Sequence, residues 1–240
     1  MRYNNREKDQ IRPVKFTVGW GEYPAGSVLI EMGKTRVLCS ATVEERVPPH
    51  LVGSPEGWVT AEYAMLPAAT QTRGRRDIAN LKLAPRSAEI QRLIGRSLRS
   101  VTDLRLLCGM TVTVDCDVLQ ADGGTRTASI TGGWLALWLA CEKLKKQGVC
   151  PANPVREEIA AVSAGIVGGE VLLDLDYSED SRADADFNMV MTAAGRVIEL
   201  QGTGEARPFS RDELNELLDL GTKGIAELCA ARRRACGGLK

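Results

Sequence analysis

The sequence contains a single histidine, and this scarcity narrows the chemistry that it can support. His50 lies in the turn-rich stretch VPPHLVGSPEGW, which is typical of a surface loop rather than of a catalytic base. A serine or cysteine nucleophile activated by histidine would depend entirely on this residue. A structural zinc site is equally unexpected, because no two of the seven cysteines form a C-x-x-C pair.

Other absences concern membranes, export and net charge. No segment approaches the roughly 20 apolar residues that span a bilayer, and the polar start MRYNNREKDQIRPV is unlike a signal peptide. The cysteines are odd in number and several lie in apolar runs, which is typical of free thiols in a reducing compartment. We therefore expect a cytoplasmic protein without a membrane segment. Because Lys and Arg total 31, as do Asp and Glu, any basic surface must be local.

The apolar content of 44% is enough for a sizeable core, in one domain or in two fused halves. Apolar, β-branched runs predict strands, at about 27–32, 36–43, 58–63, 111–118, 160–167, 170–175, 187–192 and 196–201. Helical periodicity predicts helices from Ser87 as N-cap to Gly109, over about 128–146, and from Ser210, which forms a capping box with Glu213. This order predicts an α+β fold of mixed sheets with helices packed on one side.

The segment CDVLQADGGTRTASITGG contains the strongest candidate for an anion site. Gly123 and Gly124 separate a predicted strand from a predicted helix, so their N–H groups are free to face a ligand, and the helix dipole points to the same place. Thr125 adds a hydroxyl, and Arg126 adds a planar set of donors that suits phosphate. The alternative is an ordinary tight turn with a solvated arginine, and the composition alone favours neither.

Arginines near the first predicted helix are further candidates. Arg86 precedes Ser87 at the predicted helix start, where its charge and the helix dipole would attract the same anion. Arg92 and Arg96 recur beside the apolar stripe of that helix, and their pattern is equally that of a solvated face.

Two basic stretches lie outside that helix. The stretch Arg73-Gly74-Arg75-Arg76 would contact RNA phosphates, or else add charge that keeps the surface soluble. For residues 232–234, near the carboxyl end, we expect a solvated terminal tail.

An acidic segment, YSEDSRADADFN at residues 177–188, contains several carboxylates within a few positions, among them Asp180 and Asp186. Such a group holds Mg²⁺ through oxygen atoms. It also places a carboxylic acid with a shifted pKa where a proton is needed. The alternative is a solvated acidic turn between two strands, and the pattern leaves both open.

Several long blocks of this chain resemble the ribonuclease PH family over nearly the whole length. They come in the family's order: DQIRPV, GSVLIEMGKTRVLCSATVEERVP, GWVTAEYAMLP, EIQRLIGRSLR, DCDVLQADGGTRTASITG and MVMTAAGRVIELQGTGE. The Asp-Gly-Gly-Thr-Arg-Thr segment is the most specific of them. The chain departs from the family at Pro85-Arg86-Ser87, where Gly-Arg-Thr is usual.

This resemblance implies a fold and a reaction. The fold would be a single ribonuclease PH domain of two β-α modules, about 1–150 and 151–240, like ribosomal protein S5 domain 2. The chains would form a ring, typically a hexamer built as a trimer of dimers. The reaction would be phosphate-dependent 3′→5′ trimming of tRNA precursors, with inorganic phosphate as co-substrate, Mg²⁺ as cofactor and nucleoside diphosphates as products.

The resemblance also implies roles for residues. Phosphate would be bound by the residues Arg86, Gly124, Thr125 and Arg126. Asp180 and Asp186 would bind Mg²⁺ or serve as the acid. RNA would be guided by the basic residues Arg73, Arg76, Arg92 and Arg96.

Three rival functions are open at this level. A non-catalytic ring subunit would bind RNA without releasing product. A hydrolytic, metal-dependent nuclease would release monophosphates and ignore added phosphate. An enzyme acting on sugar or nucleotide phosphates would use the anion site alone and leave oligonucleotides intact.

Overall fold

The computed structural model describes residue 2 and residues 5–76 and 82–237. Within this part of the chain the elements follow one another as β1 Val14–Val18, β2 Gly26–Met32, β3 Thr35–Glu44, β4 Trp58–Met65, α1 Pro85–Arg99, β5 Thr111–Gln120, α2 Thr125–Lys146, β6 Ile159–Val167, β7 Glu170–Leu173, α3 Tyr177–Asp180, β8 Ala185–Thr192, β9 Val197–Gly204 and α4 Arg211–Ala235. Short 3-10 helices lie at Pro49–Leu51 and Leu104–Leu107. None of the helices in these ranges is both long and apolar enough to cross a membrane.

The strands form two sheets. The first has the order β1-β2-β3-β5-β4, and β4 pairs with β5 in parallel while the other neighbours are antiparallel. The second has the order β7-β6-β8-β9 and is antiparallel between all its described strands. Gly168 and Gly169 form the two-residue turn between β6 and β7, both with positive φ, as a tight hairpin requires. The predicted α+β class, with mixed sheets and packed helices, is confirmed.

Helix α2 lies between the two sheets and is buried over most of its length. It contacts β2 and β3 on one side and β6 on the other, so a single hydrophobic core includes residues of both sheets. A Cβ atom on Gly132 would lie 2.7 Å from Ile30 Cγ2 and 2.8 Å from Cys39 Sγ. Only glycine lets the helix approach the first sheet this closely. The helix begins at Thr125, three residues before its predicted start.

Helix α1 begins and ends earlier than the periodicity predicts. Pro85 is its first residue, because proline's fixed φ suits that position and its missing N–H is not needed there. Ser87 consequently lies buried inside the first turn and is not the N-cap. The helix ends at Arg99 rather than at Gly109. The apolar spacing continues beyond Arg99 because a separate 3-10 helix, Leu104–Leu107, also packs against the core.

The expectation of a solvated tail at residues 232–234 is wrong for Arg232. Arg232 lies in the last turn of α4 and is fully buried, with its guanidinium 3.9 Å from the centroid of the Trp134 ring. It donates to the carbonyl oxygen of Ile159 at 2.7 Å and pairs with Glu158. Because α4 covers the second sheet, its final turn still rests on protein rather than in water. Arg233 and Arg234 remain exposed.

The acidic segment is not the continuous loop that its composition predicts. Its first four residues form α3, where Asp176 and Glu179 make a reciprocal capping box. Asp186 lies inside strand β8. Strand β1 is an element that the sequence pattern did not reveal.

Candidate active site

The Gly-Gly turn between β5 and α2 has a backbone conformation that favours glycine. Gly123 has a φ of 75° and Gly124 a φ of 63°, both in the left-handed region. A Cβ atom on Gly123 would lie 2.6 Å from the carbonyl oxygen of Leu175 and 2.9 Å from the backbone nitrogen of Tyr177. The missing side chain therefore lets the turn rest directly against the segment that leads into α3.

Arg12 and Thr35 fix the direction of the turn's peptide groups. Arg12 Nη1 donates to the carbonyl oxygen of Asp122, and Thr35 Oγ1 donates to that of Gly123 at 2.7 Å. Because the carbonyl and N–H of a trans peptide point in opposite directions, the N–H groups of Gly123 and Gly124 point away from Arg12. The first N–H groups of α2 also lack acceptors within the helix. Such a set of donors, here called the anion nest, is of the kind that binds phosphate or carboxylate groups in other proteins.

Arg126 is anchored by polar side chains from α1 and β9. Its Nη1 donates to Gln201 Oε1 at 2.9 Å and lies 3.5 Å from Glu89 Oε2. Gln201 in turn donates to Glu89 Oε1 at 3.2 Å. No described residue accepts a hydrogen bond from the other N–H groups of this guanidinium. One edge of Arg126 is thus held in place, and the rest of its donors are available to a ligand.

Arg86 is the second residue of α1 and is exposed. It lines a cavity of about 590 Å³ together with Gly124, Thr125 and Asp180. The hydroxyl of Thr125 lies 2.9 Å from that of Tyr63. Burial raises the pKa of Tyr63, and the hydrogen bond with Thr125 and the charges of Arg86 and Arg126 oppose the shift. Arg86, the Gly124-Thr125 pair and Asp180 lie far apart in the sequence, and the structure brings them together at one cavity.

Asp180 and Asp186 lie beside these positive charges. Burial raises the pKa of Asp180, and three nearby guanidiniums oppose the shift, those of Arg86, Arg126 and Arg12. Burial, followed by repulsion from Asp180, raises the pKa of Asp186 to about 6. Asn188 Nδ2 donates to Asp186 Oδ2 at 3.1 Å. Two carboxylates that repel each other favour either a shared proton or a bound cation.

A magnesium ion would suit this donor set. Within the described ranges no three His, Cys, Asp or Glu side chains cluster as a metal site. Mg²⁺, however, is commonly held by one or two carboxylates together with substrate phosphates and water. Asp180 and Asp186 supply such carboxylates, and the adjacent N–H donors would hold a substrate phosphate beside them.

The amino-terminal segment contains buried arginines that support the site and that the sequence reasoning did not assign to it. Arg2 forms a bidentate pair with Glu179, at 2.6 Å for both oxygens, and both side chains are buried. Arg6 donates to the carbonyl oxygen of Asp174 and lies 3.2 Å from Glu179 Oε2. Arg12 pairs with Asp174 at 2.7 Å. These contacts fix α3, and hence Asp180. The available signal was the density of arginines near the start of the chain.

The predicted RNA-binding residues differ in their surroundings. Arg73 is exposed, and Arg76 lines a second cavity, of about 630 Å³, which Arg86 also lines. Residues 77–81 of the same basic connection lie outside the described residues. Arg92 is exposed on α1. Arg96 forms a bidentate pair with Glu199, at 2.6 and 2.9 Å, so its charge is already partnered.

Two family models match the chain in succession. The model described as the 3′ exoribonuclease family, domain 1, matches residues 10–141, and domain 2 of the same family matches residues 157–224. A ribonuclease PH of Syntrophomonas wolfei is 54% identical over 236 residues, which cover 98% of this chain and 99% of that protein. The family resemblance inferred from the motifs is confirmed.

Solved structures share the fold at lower identity. The Archaeoglobus fulgidus exosome with RNA bound to the active site matches with a TM-score of 0.78 at 23% identity, covering 98% of this chain and 92% of the matched chain. Rrp46 of rice (Oryza sativa) matches with a TM-score of 0.76 at 18% identity, covering 97% and 98%. At these identities the two matches show the fold alone.

Proposed function

The chain belongs to the 3′ exoribonuclease family, and we propose that it performs the reaction of ribonuclease PH on the 3′ ends of tRNA precursors. It is a phosphate-dependent 3′→5′ exoribonuclease, a nucleotidyltransferase that moves terminal nucleotides onto inorganic phosphate and releases nucleoside diphosphates. The observation that carries the proposal is the meeting of an anion nest, two guanidiniums and two carboxylates of raised pKa at one place.

Phosphate binding is assigned to Arg86, Gly124, Thr125 and Arg126. The reaction joins two anions, so positive charge and positioning supply most of the catalysis. The nest of N–H groups and the two guanidiniums hold phosphate and aim one of its oxygens at the terminal phosphodiester. No covalent enzyme intermediate and no histidine base are needed, which suits a chain with one histidine.

The leaving group requires a proton or a balancing positive charge. The bond that breaks joins the terminal phosphorus to the 3′ oxygen of the preceding nucleotide, which departs with a proton. Asp180 or Asp186 donates this proton, and the raised pKa of both carboxyls supports that role. The same two residues would hold Mg²⁺, which when bound would offset charge developing on the phosphate oxygens.

RNA guidance is assigned to Arg73, Arg76, Arg92 and Arg96. Arg76 and Arg86 line one cavity, so a strand of phosphates passing Arg76 reaches the phosphate site. The partly exposed pair of Arg96 with Glu199 is of a kind that contributes only about 0–1 kcal/mol. An RNA phosphate therefore replaces Glu199 at little cost.

The proposal extends to assembly, domain organisation and location. Copies of this chain would form a ring, a hexamer built as a trimer of dimers, and sedimentation or light scattering would measure its mass. The modules 1–150 and 151–240 act as one unit, because residues of both meet at the cavity. A cytoplasmic location is supported by the seven free thiols.

The products of one reaction test the proposed function. A tRNA precursor with a short 3′ extension is incubated with the protein and Mg²⁺, with and without inorganic phosphate. Nucleoside diphosphates that form only with phosphate are the expected result. Nucleoside monophosphates irrespective of phosphate would replace the proposal with hydrolysis. RNA binding without release would identify a non-catalytic subunit, and an untouched RNA without binding would favour a small phosphate ester as substrate.

A further inference from the structure

An exposed aromatic ring lines the candidate active site, and the phosphate chemistry does not account for it. Tyr177 is 57% exposed and is the first residue of α3. It lines the 590 Å³ cavity that Arg86, Gly124 and Asp180 also line. Apart from Tyr177, the described side chains that reach this cavity are polar or small, with Met65 as the exception.

The position of Tyr177 relative to the phosphate turn is rigidly determined. Its backbone nitrogen would lie 2.9 Å from a Cβ atom on Gly123, so the two backbones are in direct contact. The capping box of Asp176 and Glu179 fixes the helical turn that follows. Arg2 holds Glu179 through two bonds of 2.6 Å. The ring thus projects from a frame that also positions the anion nest.

Tyr177 and Asp180 are three residues apart in one helical turn, so their side chains lie on neighbouring positions of the helix surface. Both line the same cavity. A nucleotide whose scissile phosphate lies between Asp180 and the anion nest therefore has its base or sugar close to Tyr177. The Tyr177 hydroxyl makes no hydrogen bond with the described residues. No polar contact within the described chain therefore accounts for an exposed tyrosine at this position.

We propose that Tyr177 is a stacking subsite for the nucleobase at the 3′ end of the RNA, an inference that rests on the proposed function and adds a substrate contact to it. An aromatic ring stacks on any base, because every base has a π-face. Stacking does not use the hydrogen-bonding edges that distinguish one base from another. Such a contact holds the terminal nucleotide in place while leaving its sequence free. An exonuclease that removes successive different nucleotides requires this kind of tolerance.

The experiment combines two variants with two RNAs. Tyr177→Leu removes the aromatic face and keeps an apolar side chain, and Tyr177→Phe retains the face without the hydroxyl. The RNAs are identical except that one ends in uridine and the other in 5,6-dihydrouridine, whose ring is not aromatic. Turnover is measured at varied RNA with saturating phosphate, and at varied phosphate with saturating RNA. RNA binding is measured separately without phosphate, and light scattering gives the native mass of each variant.

Tyr177→Leu should lower kcat/KM for the uridine RNA about 5- to 150-fold, the range of about 1–3 kcal/mol for one stacked base. Binding should weaken in parallel, while KM for phosphate stays unchanged. The wild type should prefer uridine over dihydrouridine, and the Leu variant should lose this preference. Tyr177→Phe should behave as the wild type in each assay.

Several results would overturn the stacking subsite. One is a Leu variant that binds and degrades both RNAs as the wild type does. Another is a Leu variant whose native mass changes, which would make Tyr177 a contact between copies of the chain. A wild type that releases no nucleoside diphosphate would remove the proposed function alone, because the binding measurements would still support or reject the subsite.

Discussion

Arg12 and Asp174 form a buried ion pair that joins the two halves of the candidate active site. Arg12 Nη2 lies 2.7 Å from Asp174 Oδ1, and the side-chain and backbone N–H groups of Arg12 donate to Asp174 Oδ2 at 3.0 and 2.7 Å. Asp174 is fully buried and has a φ of 53°, which is uncommon for a residue with a side chain. The same guanidinium donates to the carbonyl oxygen of Asp122. A single side chain thereby positions both the anion nest and the segment leading to Asp180.

Replacing Arg12 with lysine should therefore affect both stability and phosphate binding. Lysine retains a charge but cannot reach Asp174 and the Asp122 carbonyl with a planar fork of donors. We expect a loss of unfolding free energy of about 1.5–3 kcal/mol, the contribution of the charged hydrogen bonds that lysine cannot replace. We also expect KM for phosphate to rise more than KM for RNA. Urea unfolding and steady-state kinetics measure the two effects.

The matched control for this change is Arg36→Lys. Arg36 pairs with Glu31 on the exposed surface, so the same substitution there should alter stability by less than about 1 kcal/mol and leave both KM values unchanged. Equal behaviour of the two variants would contradict the positioning role of Arg12.

Arg126→Ala should impair the use of phosphate. The substitution removes charge-assisted hydrogen bonds worth about 1.5–3 kcal/mol, which predicts a loss in kcat/KM for phosphate of roughly 10- to 150-fold. Arg233→Ala is the control, because Arg233 is an exposed arginine that pairs with Glu158 away from the cavity. Unchanged phosphate kinetics in Arg126→Ala would remove this residue from the phosphate site.

Gly123→Ala should disrupt the anion nest through both strain and collision. The new Cβ would lie 2.6 Å from the carbonyl oxygen of Leu175, at a φ of 75° that disfavours any side chain. Gly195→Ala is the matched control, since Gly195 has a φ of 79° but its Cβ would meet nothing closer than 3.8 Å. We expect the control to lose about 1–2 kcal/mol from backbone strain.

Gly123→Ala should lose about 1–3 kcal/mol more than this control, because of overpacking, and most of its phosphate-dependent activity. Urea unfolding and product release are the measurements. A Gly123→Ala protein as stable and as active as Gly195→Ala would show that the turn does not need to approach the segment before α3.

Asp115 should make stability depend on pH in a defined direction. Burial, with repulsion from Glu62 and Asp117, raises the pKa of Asp115 to about 6. Between the ordinary pKa of an aspartate, about 3.9, and this value, the folded state binds more protons than the unfolded state. Stability therefore falls as pH rises from about 4 to about 6. The fall is smaller than the roughly 3 kcal/mol of the full shift, because Asp115 is partly exposed and solvent screens its charge.

Asp115→Asn should remove that fall and make the protein more stable than the wild type above pH 6. Urea unfolding from pH 4 to 7 measures the effect. Asp103→Asn is the contrasting control, because its hydrogen bond with Arg156 lowers the pKa of Asp103. That variant should lose stability at neutral pH. An Asp115→Asn protein with an unchanged pH slope would argue against a raised pKa at this site.

Local sequence signals determined much of the framework. The Gly168-Gly169 turn, the capping box of Ser210 and the alternation in β5 predict elements that the structure contains, because turns, caps and periodicity depend on near neighbours. The Gly123–Arg126 segment indicated an anion site for the same reason. Its strand, glycines and helix start are contiguous.

Tertiary structure decided the features that depend on distant neighbours. Arg2 and Glu179 are separated by 177 positions, and Arg12 and Asp174 by 162, so no local pattern relates them. Arg232 looks solvated in sequence because its neighbours are arginines, yet α4 carries it onto Trp134. The sequence by itself indicated the chemistry of the protein, an anion site with nearby carboxylates. The packing of α2 between the two sheets decided which charges face the cavity and which are buried, because burial is a property of the assembled core.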